Sequence, residues 1–548
     1  VLVYDGGRVL TGHVDFQGRA TTHDATAVSD HATHVAGTIG GAGVANTTHR
    51  GIAPGVLLRS FGFESNGSGT FLATNPGDVE ADWESAFGGL GCDVGNASLG
   101  TNVEVNGFPC SLQGDYTTTD AVLDALVYGQ GMRAVWAAGN ERQASRCDVE
   151  GFGDYFSLAP PAGSKNAIVV GAVNSDNDQV AWFSSWGPTD DGRTKPDVVA
   201  PGCQVGGDGG VTSTSSAGTT AYTVKCGTSM ATPVVTGIVA LMLEDFANEY
   251  PGATLPSNAM CKAALVQTAQ DVGSLGPDYQ SGYGSVRGRA AVDLMREGRW
   301  AEGIVQAGAE REYLLDVPSG GGPVRITVAW EDPPGNPAVS SALVHDLDLV
   351  VFDPTGARRY PWTLNPANPS APAVRTAEDH RNNVEQVAVD APVAGVWTVL
   401  VRGTSVGAGS QAYALAATHG FVERTVELAW IDAPPAFAMP GAPFPVRVAA
   451  GAIGQELDAS SVRIRTREGA DGVWTEAPMM HEGGGVFGAA VTGPGCEAGF
   501  AEVEVVAQGV EAGIAVVPSG GLAVVRAGAG VTAHQTTSET DDGWVVNA

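Results

Sequence analysis

"CGTSMATPVV", residues 226–235, sets a serine between Thr228 and Met230, just ahead of a segment that reads as a buried helix. That segment, "VVTGIVALML", is apolar on every face, the pattern of a helix enclosed by other structure. Pro233 falls in its first turn, where a missing N–H costs little because the first helical N–H groups have no intrahelical partner. Ser229 therefore lies at a helix N-terminus, where unsatisfied donors and partial positive charge gather. Such a serine is either a helix cap or a nucleophile. The rest of the chain decides between them.

At 548 residues the chain exceeds a single core and is expected to form two to four domains. Its 76 glycines fit a globular chain rich in turns and strands. The net charge is −31, and there are only four lysines (Lys165, Lys195, Lys225, Lys262), which excludes a nucleic-acid footprint. The acidity reads as solubility. No run reaches the roughly 18 consecutive apolar residues of a membrane span, so none is expected. Of seven cysteines, Cys203 and Cys226 bracket a Gly/Ser/Thr-rich loop ahead of Ser229. A disulfide there, and an exported protein, is the favoured reading over two buried thiols. Cys110 and Cys147 are a second candidate pair, with Cys92, Cys261 and Cys496 unpaired. The chain opens at Val1 directly in the apolar strand "VLVYD", without a signal peptide, and closes on "SETDDGWVVNA". Both ends read as truncations of a longer secreted precursor. The first sheet is then expected to lack a covering element and to expose apolar surface.

Over the first 300 residues strand and helix signals alternate. "VLVYD" (1–5), "VGNASL" (94–99), "RAVWAA" (133–138) and "NAIVVGAV" (166–173) read as strands; "HATHVAGTIG" (31–40) and "DAVLDALVYG" (120–129) read as helices. Short apolar strands separated by helices predict an α/β domain, a mostly parallel sheet with helices on both faces. Sites in such folds form at the carboxyl ends of the strands. From about residue 309 the pattern becomes all-β, with short runs such as "PVRITVAWED" and "DLDLVVFDP" between Gly/Pro/Asn turns. The expected division is an α/β domain over 1–305, a β jelly roll over 306–420, an Ig-like β-sandwich over 421–530, and the start of a further element over 531–548.

Asp5 ends the first strand and His31 opens the first helix. A serine hydroxyl is a weak nucleophile until an imidazole takes its proton, and a carboxylate fixes that imidazole's tautomer. Asp5, His31 and Ser229 supply these three parts. Asn140, just past "RAVWAAG", could offer an amide donor to an oxyanion, with the Ser229 N–H as the second donor. Each part has a plainer reading. Asp5 could be a turn residue before Gly6 and Gly7. His31 and His34 could bind a metal, but their helix lacks the glutamate of H-E-x-x-H. The four together point to a site. The G-x-S-x-G elbow of lipases and esterases is absent, since the chain reads G-T-S-M-A around Ser229.

"HATHVAGT", "AAGNE" and "GTSMATP" resemble the three signature blocks of the subtilisin-like serine proteases, and the likeness covers roughly residues 1–300. The resemblance implies a secreted serine endopeptidase that acts on proteins or peptides as a monomer, with no cofactor needed for the chemistry. It implies that His31 is the base and that His34 packs structurally. "NASLG" (96–100) resembles the edge segment that pairs with substrate, implying substrate contacts at Ser98, Leu99 and Gly100, with Ala138 and Gly139 opposite. Glu141, near the pocket, points to basic side chains before the cleaved bond, and large apolar ones stay equally open. The block "ALVHDLDLVVFDPTG" with "HRNNVEQVAVDAPVAGVWTVLV" looks like the C-terminal jelly roll of the oxidatively stable alkaline proteases in this family. The chain departs from the pattern at Ala32, where glycine is usual, and at Val234, where many members have histidine. Only 26 residues separate Asp5 from His31, which leaves less room for calcium-binding insertions. Asp346 and Asp348 share one face of a strand and, with Asp379, Asn382 or above all Asn383, are a candidate calcium site; a solvated acidic edge is the alternative.

Overall fold

The computed structural model describes residues 1–63, 76–143, 146–407, 409–422, 425–453, 457–510, 514–518 and 522–527. The expected element over 531–548 lies outside them. The chain divides into two compact units, Val1–Phe421 and Val422–Ala548.

The first unit is built on seven strands: β1 (Leu2–Asp5), β2 (Ala20–Thr22), β3 (Leu58–Gly62), β4 (Gly95–Ala97), β5 (Ala134–Ala137), β6 (Ile168–Asn174) and β7 (Val198–Cys203). They form one sheet in the order β2-β3-β1-β4-β5-β6-β7, and every pairing is parallel. Parallel strands need crossovers, and helices provide them: α1 (Asp30–Gly40), α2 (Pro76–Glu84), α3 (Thr118–Gln130), α4 (Thr228–Glu249), α5 (Asn258–Thr268) and α6 (Gly288–Arg296). Val135, Ile168 and Val170 meet α1 and α4 in one core, while Tyr4, Trp136 and Val169 meet Leu123 and Leu126 of α3 in another. Strand β1 lies between β3 and β4 and is buried throughout, so the expected exposed apolar surface at the start of the chain is not found.

Helix α4 departs from one expectation. By length and composition it is apolar enough to cross a membrane. Here it lies inside the fold, with Met230, Val235, Val239, Met242 and Phe246 buried, because a helix apolar on every face is enclosed in protein as readily as in lipid.

The β-rich part of this unit begins at residue 300, where β8 (Trp300–Gln306) enters a four-stranded sheet with Val324–Trp330, Val384–Val389 and Ser410–Ala417. A second sheet holds Glu310–Val317, Asp346–Phe352 and Gly395–Ser405. Val328, Trp330, Leu349, Trp397 and Val399 fill the space between the two. The first sheet also packs on α5: Ala329, Val384, Ala414 and Ala416 share the core of Ala263 and Val266. Polar groups complete that seam. Lys165, fully buried, pairs with Asp332 and donates to the Ala342 carbonyl at 2.7 Å. Asn166 and Asp332 exchange two hydrogen bonds of 2.8 Å, and the Thr194 N–H donates to Asn382 Oδ1 at 2.7 Å.

The second unit is a four-stranded and a six-stranded sheet around Val446, Val448, Ile464, Phe487, Val503 and Val505.

Candidate active site

Three chain segments converge at the carboxyl ends of the central strands. Asp5 is the last residue of β1 and is buried. His31 is the second residue of α1, whose start is fixed by Ser29; the Ala32 N–H donates to the Ser29 hydroxyl at 3.1 Å. His31 Nδ1 lies 2.9 Å from both carboxylate oxygens of Asp5. The Gly6 N–H holds the same carboxylate at 2.7 Å. Burial pulls the His31 pKa down, but the charge and hydrogen bond of Asp5 outweigh it and leave the value above the usual 6.5. His34, one turn on, is different. It is buried, its Nε2 donates to the Val211 carbonyl at 2.9 Å, and burial lowers its pKa to about 4. It is a neutral core residue.

Ser229 stands in the first turn of α4 and faces the same cleft of about 720 Å³ as Asp5 and His31. Its hydroxyl donates to the Ser98 carbonyl at 3.0 Å. Among the described residues no hydrogen bond joins it to His31. In unliganded sites such contacts are often long and tighten only with substrate, and staggered rotamers separate the two positions of a serine oxygen.

Asn140 reaches the cleft through an unusual turn. Gly139 has φ +104°, and a side chain there would meet Ser185 Oγ at 3.0 Å, so only glycine suits the position. The Thr228 N–H donates to Asn140 Oδ1 at 2.9 Å, and the Thr228 hydroxyl donates to it at 3.1 Å. The amide oxygen is so engaged, and Asn140, Gly139 and Ser229 all line the cleft. The first-turn N–H of Ser229 is one that the helix itself leaves unsatisfied.

Ser98, Leu99, Gly100 and Gly139 line the cleft, but Ala138 does not. It is fully buried beneath the site, because successive strand residues face opposite ways and Ala137 and Gly139 take the cleft side. Glu141 is also withdrawn. Its Oε2 accepts from the Glu104 N–H at 2.7 Å and from Gln113 at 3.4 Å, and burial raises its pKa. The wall on that side comes instead from Asn102, Asn106 and Phe108, which sequence reasoning missed. The available signal was Cys110 just after them. It is bonded to Cys147, with the Cα atoms 5.5 Å apart, and the Arg146 guanidinium holds the Phe108 carbonyl at 2.7 Å. Cys203 and Cys226 are bonded as well, Cα atoms 4.6 Å apart, and Cys226 reaches the cleft rim. Cys92, Cys261 and Cys496 are free.

Asp346 and Asp348 share a strand face, but Asn383 is not with them. Its amide donates to the Trp330 carbonyl at 2.8 Å and to Asn166 at 3.3 Å, which commits it to the seam. The third member of the cluster is His380, with its ligand atom and those of the two aspartates within 4.8 Å of one another. Calcium takes six to eight oxygen ligands. Two carboxylates and an imidazole do not fit that requirement.

Parallel strands that deliver an aspartate, a helix that delivers a histidine against it, and a second helix that opens on a serine make the layout of a serine peptidase. The chain belongs to the subtilase family, whose pattern matches residues 12–284 and so begins just after Asp5. Subtilisin DY of Bacillus licheniformis is 33% identical over 264 residues, which are 48% of this chain and 77% of that protein. Alkaline protease 1 of Aspergillus clavatus is 33% identical over 249 residues, 44% of this chain and 51% of its own length. The Serine protease/ABC transporter B family protein tagA of Dictyostelium discoideum is 26% identical over 262 residues, 42% of this chain and 15% of its own length. The chain spans about half the length, or less, of most curated relatives it matches.

Proposed function

We propose that the protein is a secreted serine endopeptidase that hydrolyses peptide bonds through Asp5, His31 and Ser229, with Asn140 in the oxyanion hole. The observation that carries this is the His31–Asp5 contact of 2.9 Å at the cleft that Ser229 enters from a helix N-terminus. A peptide lies extended along Ser98–Gly100 as an added strand. Ser229 turns from the Ser98 carbonyl to His31 Nε2, gives up its proton, and attacks the scissile carbonyl. Asp5 holds Nδ1 protonated and stabilises the imidazolium. Asn140 Nδ2 and the Ser229 N–H receive the developing oxyanion. His31 then protonates the leaving amine, and water, deprotonated by His31, releases the acyl group. Side chains and backbone supply every step without a cofactor. Both disulfides support export to an oxidising compartment. The two-sheet β-part from residue 300 is read as the jelly roll of the oxidatively stable alkaline proteases, since its successive long strands alternate between the sheets.

The test is a fluorophosphonate probe with peptide mapping, run beside hydrolysis of casein. Labelling at Ser229 and loss of both labelling and hydrolysis in Ser229→Ala are expected. Hydrolysis retained by Ser229→Ala overturns the proposal.

A further inference from the structure

The aspartate pair on the two-sheet β-part of the first unit leaves charge unanswered. Asp348 has a side chain 2% exposed; its Oδ2 takes the Thr404 hydroxyl, while its Oδ1 is buried without a hydrogen-bond partner. Asp346 Oδ1 is buried and unpartnered in the same way. A buried carboxylate oxygen left in this condition is costly. Among the described residues the basic side chain in contact with both acids is His380, half-exposed, with Nδ1 2.8 Å from Asp346 Oδ2 and 3.5 Å from Asp348 Oδ1. A single proton on Nδ1 does not serve two carboxylates.

Nearby cations are already engaged. Arg402 binds Glu310 at 2.8 Å and Glu378 at 3.5 Å, and Arg358 binds Glu378. Buried Asp379 and Glu385 place two further carboxyl groups close to the pair.

We infer that Asp346, Asp348 and His380 bind a divalent transition-metal ion of the zinc type, with solvent completing the coordination on the exposed side. Zinc accepts a mixed nitrogen and oxygen set at about 2.0–2.2 Å, which sets ligand atoms roughly 3.3 Å apart in a tetrahedron. The observed separations of 2.8 and 3.5 Å bracket that value. His380 Nε2 faces Glu378 at 3.9 Å, the direction from which a carboxylate orients a metal-bound imidazole. An imidazole ligand selects against calcium, which prefers oxygen alone. The ion would tie the strand carrying Asp346 and Asp348 to the 378–382 loop, whose Asn382 docks on Thr194. Its role is to clamp that loop to the body of the first unit.

The inference is separable from the peptidase reading, so the test uses the full chain carrying Ser229→Ala, which prevents self-digestion. The protein is stripped with a chelator and titrated calorimetrically with zinc chloride and with calcium chloride, with melting temperatures read in parallel. Expected are one saturable zinc site with micromolar or tighter affinity, a rise in melting temperature, and at least a tenfold loss of affinity in His380→Ala. His380 is half-exposed, so that variant should fold. Asp348→Asn should lose the site too. No saturable zinc binding, unchanged zinc affinity in His380→Ala, or calcium binding at least as tightly as zinc at these residues overturns the inference.

Discussion

Ser229 and Ser98 hold each other across the cleft floor: the Ser229 hydroxyl donates to the Ser98 carbonyl at 3.0 Å, and the Ser98 hydroxyl donates to the Ser229 carbonyl at 2.9 Å. The second bond fixes the first turn of α4 against the segment proposed to bind substrate. The first parks the proposed nucleophile away from His31. A peptide that occupies the edge at Ser98–Gly100 competes for these groups and frees the hydroxyl. In the proposed mechanism, substrate binding and nucleophile release would thus be joined in one contact.

Asn140 separates two roles that share one side chain. Asn140→Asp keeps an oxygen for the Thr228 N–H but removes the amide donor. We expect kcat to fall by about 10²–10³, a magnitude taken from a subtilisin, with KM and melting temperature nearly unchanged. Steady-state kinetics on a peptide substrate, with a thermal melt, checks this. An unchanged kcat removes Asn140 from the oxyanion hole.

His31 sets the acid limb of activity. Its folded pKa lies above 6.5, so the neutral, proton-accepting form accumulates only as pH rises past that raised value. The kcat/KM profile should therefore rise through a pKa above 6.5. Asp5→Asn should move this limb to lower pH and cut the rate. The stability contribution runs the other way: the Asp5–His31 pairing favours the folded state fully below pH 6.5 and fades as pH climbs through the elevated folded value. A limb that stays in place in Asp5→Asn refutes the coupling.

His34 makes the fold sensitive to acid. Its folded pKa is depressed to about 4 by burial, so between pH 6.5 and about 4 the unfolded chain takes up a proton that the folded chain refuses. Stability should drop across that window, by about 3 kcal/mol at its lower end from this residue alone. Urea midpoints at pH 7 and pH 4.5 measure the effect. His34→Gln, with an amide in place of the donor to Val211, should flatten it.

The Lys165–Asp332 pair has no solvent access on either side. Asp332→Ala leaves a buried ammonium without its main partner and should cost about 3–5 kcal/mol. The double variant Lys165→Met, Asp332→Leu should recover much of that loss, because replacing both charges removes the desolvation cost together with the attraction. Chemical denaturation of the three proteins decides it.

The legible parts of this chain were those governed by neighbours in sequence. The helix read at 31–40, the strands read at 1–5 and 133–138 and the switch read near residue 309 follow from period and punctuation, and the structure moves them only to Asp30–Gly40, Leu2–Asp5, Ala134–Ala137 and residue 300. So does the convergence of Asp5, His31, Asn140 and Ser229, because strand ends of a parallel sheet share one edge. What escaped depended on side-chain direction and distant contacts. Ala138 faces the core rather than the cleft. Asn383 is drawn off by Trp330, and Glu141 by Glu104. His380 enters its cluster from a loop 34 residues beyond Asp346, a distance no local pattern encodes. The all-round apolar face of α4 was read correctly as buried, yet its length and composition suit a bilayer equally, and only the surrounding sheet resolves the two.

The seam between the parallel sheet and the two-sheet β-part of the first unit also sets an order in time. During synthesis every residue proposed to act on substrate has been made once Ser229 is added. Lys165 and Asn166, however, wait for Asp332, and Thr194 waits for Asn382. More than a hundred residues thus separate Ser229, the last residue proposed to react, from Asp332, the first of these partners. Until that part of the chain is made, Lys165 and Asn166 stand without the partners that bury them, so one face of the parallel sheet's unit is left with a charge and an amide to be satisfied by water.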